Sequence, residues 1–312
     1  MSAPTTPELR DAIMRLFGEA ELVARRPHPY RSSFAIEELD LRLGDGELLS
    51  LIFKDLGLSG LSPAGRSAKP LHLHDPLREI DVYTSILTAY DLGTAACYGS
   101  IVDSGRKRHW LFLERVAGVP LWQLDDRDVL LTVARWLARL HTTVEPPRDQ
   151  QHLLRYDRTH YGRWLSQAMD AAPGAGLEGL RGRYEHAVAR IATAPATFVH
   201  GELYPSNVLV VAGKDIRVCP VDWELSGIAT GMLDLAAVTT GLPEADASLL
   251  ADAYLADLPE IHGDPAELLE CCRLYLAVQW VARSEHWTPP LEHARDWAAE
   301  AIVAADKLEA LA

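Results

Sequence analysis

His200-Gly201-Glu202-Leu203-Tyr204-Pro205-Ser206-Asn207, then Val208-Leu209-Val210-Val211, and further on Val221-Asp222-Trp223-Glu224, is the stretch that decides the fold. Val208 to Val211 is a short apolar run of strand character, and Arg217 to Val221 reads as its partner. Gly213 to Asp215 between them supply turn chemistry. An antiparallel pair of this kind returns Asp222 to the neighbourhood of Asn207, while Glu202 lies five residues before Asn207 on the loop that enters the hairpin. Two carboxylates and an amide so placed can orient an attacking hydroxyl and hold magnesium on a nucleotide, which are the demands of phosphoryl transfer.

The pattern resembles the catalytic and metal loops of the aminoglycoside phosphotransferase and choline kinase family, within the protein-kinase-like superfamily. That family reads His-Gly-Asp, four residues, Asn, a short hairpin, then Ile/Val-Asp-Trp/Phe-Glu. This chain carries Glu202 where the family has Asp, a carboxylate one methylene longer. The resemblance implies an α+β, two-lobed protein-kinase-like fold. Residues 1–117 would form a small antiparallel-sheet lobe that binds nucleotide, and residues 118–312 a larger, mostly helical lobe with the catalytic loop, metal loop and acceptor site. It also implies a cytoplasmic transferase, a small-molecule kinase that uses ATP or GTP with magnesium and phosphorylates an alcohol group. Glu202 would be the catalytic base, Asn207 and Asp222 the metal ligands, His200 a brace for the loop, and Asp234 its tie. Glu224 would assist a second metal or the acceptor.

Composition bounds the same answer. A chain of 312 residues with 48% hydrophobic and 24% charged residues is an ordinary globular protein with room for two cores. No apolar run approaches a membrane span, and the first residues lack the basic and apolar segments of a signal peptide. Cys97, Cys219, Cys271 and Cys272 have no metal-ligand spacing, as expected of a reduced protein. A net charge of −14 argues against nucleic acid as a partner, because phosphate contacts need clustered Lys and Arg. Residues 1–117 carry 14 basic and 16 acidic side chains, the remainder 16 and 28. That acidity favours a cationic small-molecule acceptor.

Before the central motif, residues 7–24 have apolar positions at helical spacing and are expected to form one packing helix. Strand-like runs at 33–43 and 47–56 flank Gly44-Asp45-Gly46, a hairpin signal. Lys54 falls near the end of the second, where an unpaired ammonium is costly. A loop over 57–76 contains His72, His74 and Asp75, too few ligands to argue for a metal. Residues 77–89 read as a helix with Glu79 in its first turn, and strand Lys with helix Glu matches the superfamily's phosphate-binding ion pair. Runs at 95–102 and 109–116 form a second strand pair. The resemblance makes the end of the latter a hinge, with backbone at Glu114 and Val116 contacting adenine.

The family's phosphate loop contains glycine and sits between its first two strands. Here 27–33 precede the first expected strand, have no Gly-x-Gly, and would offer Ser32 and Ser33 to the nucleotide phosphates, with Arg31 adding charge. Residues 126–143 form a strongly amphipathic helix ending in His141, and helices follow at 160–171, 177–192, 231–239, 244–256, 265–284 and 291–311. Gln279, Trp280, Glu285, His286 and Trp287 are candidates for an acceptor pocket, although Trp280 reads more readily as core. The rival to an enzyme is a nucleotide-binding pseudokinase with a regulatory or scaffolding role, consistent with Glu202 and the glycine-free loop.

Overall fold

The computed structural model describes residues 6–29, 34–58, 60–61, 70–145, 151–259, 263–284 and 294–311. The chain divides into two compact units, Met1–Ala117 and Gly118–Ala312.

The first unit is an antiparallel sheet of five strands, β1 Glu21–Pro27, β2 Ala35–Arg42, β3 Leu48–Asp55, β4 Cys97–Asp103 and β5 Arg108–Glu114, in the order β1-β2-β3-β5-β4. Helix α1, Thr6–Phe17, closes one face. Its Leu9, Ala12 and Ile13 pack with Leu39, Leu41, Leu51, Phe53, Trp110 and Phe112. Alternation in β2 and β3 aims those side chains inward because successive residues of a strand point to opposite faces.

The expected helix over 7–24 is corrected here. It ends at Phe17 because Gly18 turns into the left-handed region (φ +66°) and donates its N–H to Met14 O at 3.0 Å, a helix stop glycine adopts without penalty. The remaining apolar positions, Ala20 and Val23, flank or belong to β1, which adds an edge to the sheet. That strand also changes the place of 28–34: this segment now connects the first two strands instead of leading into the first.

Helix α2, Arg78–Asp81, continues through a wider π turn at Val82–Ile86 and a tight turn at Leu87–Ala89, so the expected helical stretch is present but irregular.

The second unit is mostly helical. It contains α3 Arg127–Thr143, α4 Arg158–Gly162, α5 Trp164–Ala171, α6 Arg181–Thr193, α7 Met232–Thr239, α8 Glu244–Ala256, α9 Pro265–Ser284 and α10 Trp297–Leu311. Asp126 caps α3 by accepting from the N–H groups of Asp128 and Val129. At the centre lies α9, buried on most of its circumference and packed on α5, α6, α7 and α10, which is why its apolar residues show no single stripe. Two small sheets carry the loops of interest. β6 Val119–Pro120 and β10 Arg217–Pro220 flank β9 Val208–Val211; β7 Leu154–Arg155 and β8 Thr197–Val199 flank β11 Gly227–Ala229. Among the described residues no helix is long and apolar enough to cross a membrane.

Candidate phosphotransfer site

The loop after β8 is held from beneath by one carboxylate. Asp234, wholly buried in the first turn of α7, accepts the backbone N–H of His200 at 2.7 Å and that of Gly201 at 2.9 Å. A buried carboxylate needs such donors, and a loop without regular pairing needs such an acceptor. His141 Nε2 stands 3.3 Å from the same carboxylate, with its Nδ1 2.8 Å from the Tyr254 hydroxyl. Gly201 has φ +87°, and a Cβ there would meet Leu225 O at 2.3 Å and the Tyr156 hydroxyl at 2.5 Å. Only glycine fits.

His200 is fully buried, and that burial pushes its pKa down, so the ring is neutral. Its Nε2–H donates to Val221 O at 3.0 Å, and Nδ1 accepts the N–H of Glu202 at 3.3 Å, which fixes the tautomer. The imidazole thus ties the loop that carries Glu202 to the segment that leads into Asp222.

The hairpin pairs Val211 with Arg217 and Val208 with Pro220, and Val221 N–H reaches Asn207 O at 2.9 Å. Asp222 therefore emerges beside Asn207. The amide nitrogen of Asn207 is committed to Glu202 O at 2.9 Å, which assigns its oxygen Oδ1 to any ligand. Asp222 sits in the left-handed region (φ 70°, ψ 58°), rare for a residue with a Cβ. The next residue explains how the backbone is kept there: Trp223 is buried, stacks on Phe198 (5.9 Å, 11°), packs on His200 (4.5 Å) and donates to Pro220 O. One amide oxygen and one carboxylate form a donor set suited to magnesium, which completes its shell with water and phosphate oxygens.

Glu202 is buried and ion-paired. Its Oε1 lies 2.6 Å from Nη1 of Arg283, near the end of α9, and both side chains are below a tenth exposed. Burial alone would pull the Arg283 pKa down, yet the charge and hydrogen bond of Glu202 outweigh it and push it up, with Glu224 adding to the effect. The guanidinium carbon stands 4.5 Å from the Trp280 ring centre. Trp280 Nε1–H donates to the Tyr204 hydroxyl, and its ring stacks on Trp297 (5.6 Å, 12°). Trp280 is half-buried rather than core. Gln279 is buried and donates to the Tyr275 hydroxyl, so it belongs to the core and is no part of an acceptor pocket. Glu285, His286 and Trp287 lie outside the described residues.

Arg283 was not among the residues the sequence singled out. A signal existed: an arginine within the buried run Leu274 to Val281 and its continuation is a cation in need of a partner.

In the first unit, Lys54 Nζ donates to both carboxylate oxygens of Glu79, at 2.7 and 2.8 Å, with both residues buried. Lys54 is brought there by β3, whose register places it between Ile36 and Leu111, and Glu79 by the first turn of α2. Glu114 ends β5, where its N–H bonds Ala96 O and its carboxylate accepts the Ala96 N–H. Val116 follows beyond the strand, half-buried. Arg31, Ser32 and Ser33 lie outside the described residues. Among the described residues no group of three or more His, Cys, Asp or Glu gathers as a metal site, His72, His74 and Asp75 included.

Comparison with solved structures finds the same fold at low identity. Choline kinase LicA from Streptococcus pneumoniae superposes with a TM-score of 0.64 at 15% identity, over 97% of this chain and 98% of that one. An aminoglycoside phosphotransferase, so described provisionally, from Ralstonia eutropha gives 0.62 at 17% identity, over 96% and 98%. The GDP complex of aminoglycoside 2'-phosphotransferase-IIIa gives 0.60 at 12% identity, over 99% of each chain. No curated protein sequence matches. The sequence pattern of one family spans residues 65–271, about two thirds of the chain, from before Glu79 to beyond Asp234. The chain belongs to the phosphotransferase enzyme family.

Proposed function

We propose that the protein transfers the γ-phosphate of ATP or GTP, with magnesium, to a hydroxyl of a small-molecule acceptor of cationic character. The observation that carries this reading is the convergence of Glu202, Asn207 and Asp222 on one loop and one hairpin, Glu202 held by Arg283, Asn207 by its amide hydrogen bond to Glu202 O, and Asp222 by the register of the hairpin that ends beside Asn207. Phosphoryl transfer depends on positioning and charge neutralisation more than on covalent help from the protein. Glu202 would accept the proton of the attacking hydroxyl. Asn207 and Asp222 would hold the magnesium, which when bound neutralises the phosphate oxygens. Lys54, oriented by Glu79, would contact the nucleotide phosphates.

In this reading residues 1–117 serve as the nucleotide-binding lobe. Backbone at Glu114 and Val116 would meet the base, and Ser32 and Ser33, in the connection between β1 and β2, would cover the phosphates. The AMP complex of the LicA choline kinase and the GDP complex of the aminoglycoside phosphotransferase support a nucleotide donor. The acidity of residues 118–312 supports a cationic acceptor. Its charge would be met by carboxylates other than Glu202, which Arg283 already engages.

That engagement is also the observation favouring a second reading, a pseudokinase that binds nucleotide without transfer. The two separate in one experiment on two variants. Asp222→Ala should abolish magnesium-dependent nucleotide binding measured by calorimetry; unchanged affinity would contradict the metal assignment. Glu202→Ala should retain binding and lose transfer to an acceptor panel of choline, an aminoglycoside and a macrolide. Full turnover by that variant would remove Glu202 from the mechanism, and a wild-type protein that binds nucleotide yet transfers to nothing, water included, would favour the pseudokinase.

A further inference from the structure

We propose that Arg283 is the positioning residue of the transfer site, the group that allows a glutamate to serve where a shorter carboxylate would otherwise stand. The inference rests on the reading of Glu202 as the base. A glutamate has one more rotatable bond than an aspartate, and each extra rotamer moves the carboxylate by more than a reacting group tolerates. Misplacement by about 1 Å can cost about 100-fold in rate. A base of this length therefore needs an external constraint.

The structure supplies one, and it closes on itself. Glu202 Oε1 is pinned by Arg283 Nη1 at 2.6 Å. The guanidinium carbon of Arg283 lies over the ring of Trp280, three residues earlier on α9, at the spacing that places two side chains on one helix face. Trp280 is in turn stacked with Trp297 and donates its indole N–H to the hydroxyl of Tyr204. Tyr204 is two residues beyond Glu202 on the same loop. The contacts thus run from the loop to α9 and back to the loop, so neither the carboxylate nor the guanidinium can shift alone.

Stability does not explain this arrangement. Taking both ions out of water costs several kcal/mol each, and an apolar pair of the same volume would serve the fold as well. The negative charge of Glu224 acts on the same guanidinium. Arg283 Nε is moreover buried with no hydrogen-bond partner among the described residues, a donor that packing alone leaves uncompensated. A planar fork, stacked and charged, suits this task; a lysine ammonium, a point charge without a face, does not.

The test uses the full chain with Mg-ATP, reading both basal hydrolysis, with water as acceptor, and transfer to choline, an aminoglycoside and a macrolide. Arg283→Lys keeps the buried charge and therefore the fold; it should lower kcat about tenfold or more while the KM for Mg-ATP stays within about twofold. Arg283→Ala should lose about 100-fold in kcat, and added methylguanidinium should restore part of it where tetramethylammonium at equal ionic strength does not.

Arg283→Lys with wild-type kcat, or with kcat and nucleotide affinity falling together, would overturn the positioning role. Should Arg283→Ala not fold, the lysine variant decides. Glu202→Gln, measured in parallel, keeps the two claims apart. If it retains wild-type kcat, or if the wild type turns over neither water nor any acceptor, the reading of Glu202 as base fails first. If it is inactive while Arg283→Lys is unimpaired, only the present inference fails.

Discussion

Replacing Lys54 by methionine removes the cation that faces both oxygens of Glu79 and deprives a carboxylate with 1% exposure of its ion-pair partner. At 2.7 Å and an effective dielectric of about 20, the attraction within the pair is about 6 kcal/mol. Dehydrating the two ions costs several kcal/mol each, so the pair as a whole contributes little to stability. The asymmetry is what can be measured: one partner removed should cost about 3–5 kcal/mol, whereas Lys54→Met/Glu79→Leu should return to within about 1 kcal/mol of wild type.

Urea unfolding of the four proteins, with the midpoint shift read at constant slope, completes a double-mutant cycle. Mg-ATP affinity, measured on the same samples, should fall in both variants lacking Lys54, including the re-stabilised double variant. A single variant within about 1 kcal/mol of wild type would refute the argument from burial, as would a double variant no better than the worse single one. Wild-type nucleotide affinity in the double variant would separate Lys54 from the phosphates.

Two further outcomes follow from geometry and charge. Gly201→Ala, which forces a Cβ against Leu225 O and Tyr156 at φ +87°, should destabilise by at least about 2 kcal/mol in thermal unfolding; an unchanged melting temperature would show that the loop relaxes around it. Glu267 is held below the usual carboxylate range first by its hydrogen bond to His186 and then by Arg190. A depressed carboxylate contributes above its unfolded pKa and loses that contribution as pH falls through the folded one. Glu267→Gln should therefore cost up to about 1 kcal/mol at neutral pH, shrinking to nothing in acid; a cost that persists in acid would assign it to packing.

Much of this was legible because the signals were local. The hairpin of β9 and β10 follows from two apolar runs around Gly213 to Asp215, and the Lys54 strand from its alternation. Asp234, 32 residues beyond Glu202, was reachable by resemblance. Two features were not. β1 was hidden because Ala20 and Val23 continue the helical period of α1; Gly18 was the stop signal, but pairing with β2, a tertiary event, makes the strand. Arg283 lies 81 residues from Glu202, and no periodicity reports that a particular arginine of a buried helix meets a particular loop. Gln279 failed for the opposite reason: a polar residue on α9 suggested a pocket, while Tyr275, one turn earlier, satisfies it inside the core.

The left-handed backbone of Asp222 has a consequence for how this protein would drift. An L-residue there costs about 1 kcal/mol, and glycine or asparagine would relieve some of it. Both replacements discard the charge. Selection for thermal tolerance alone would accordingly favour the loss of the carboxylate, and variants recovered from such a regime should be sturdier and inert. An aspartate at 222, where glycine would fit the backbone more easily, is what the proposed metal role predicts.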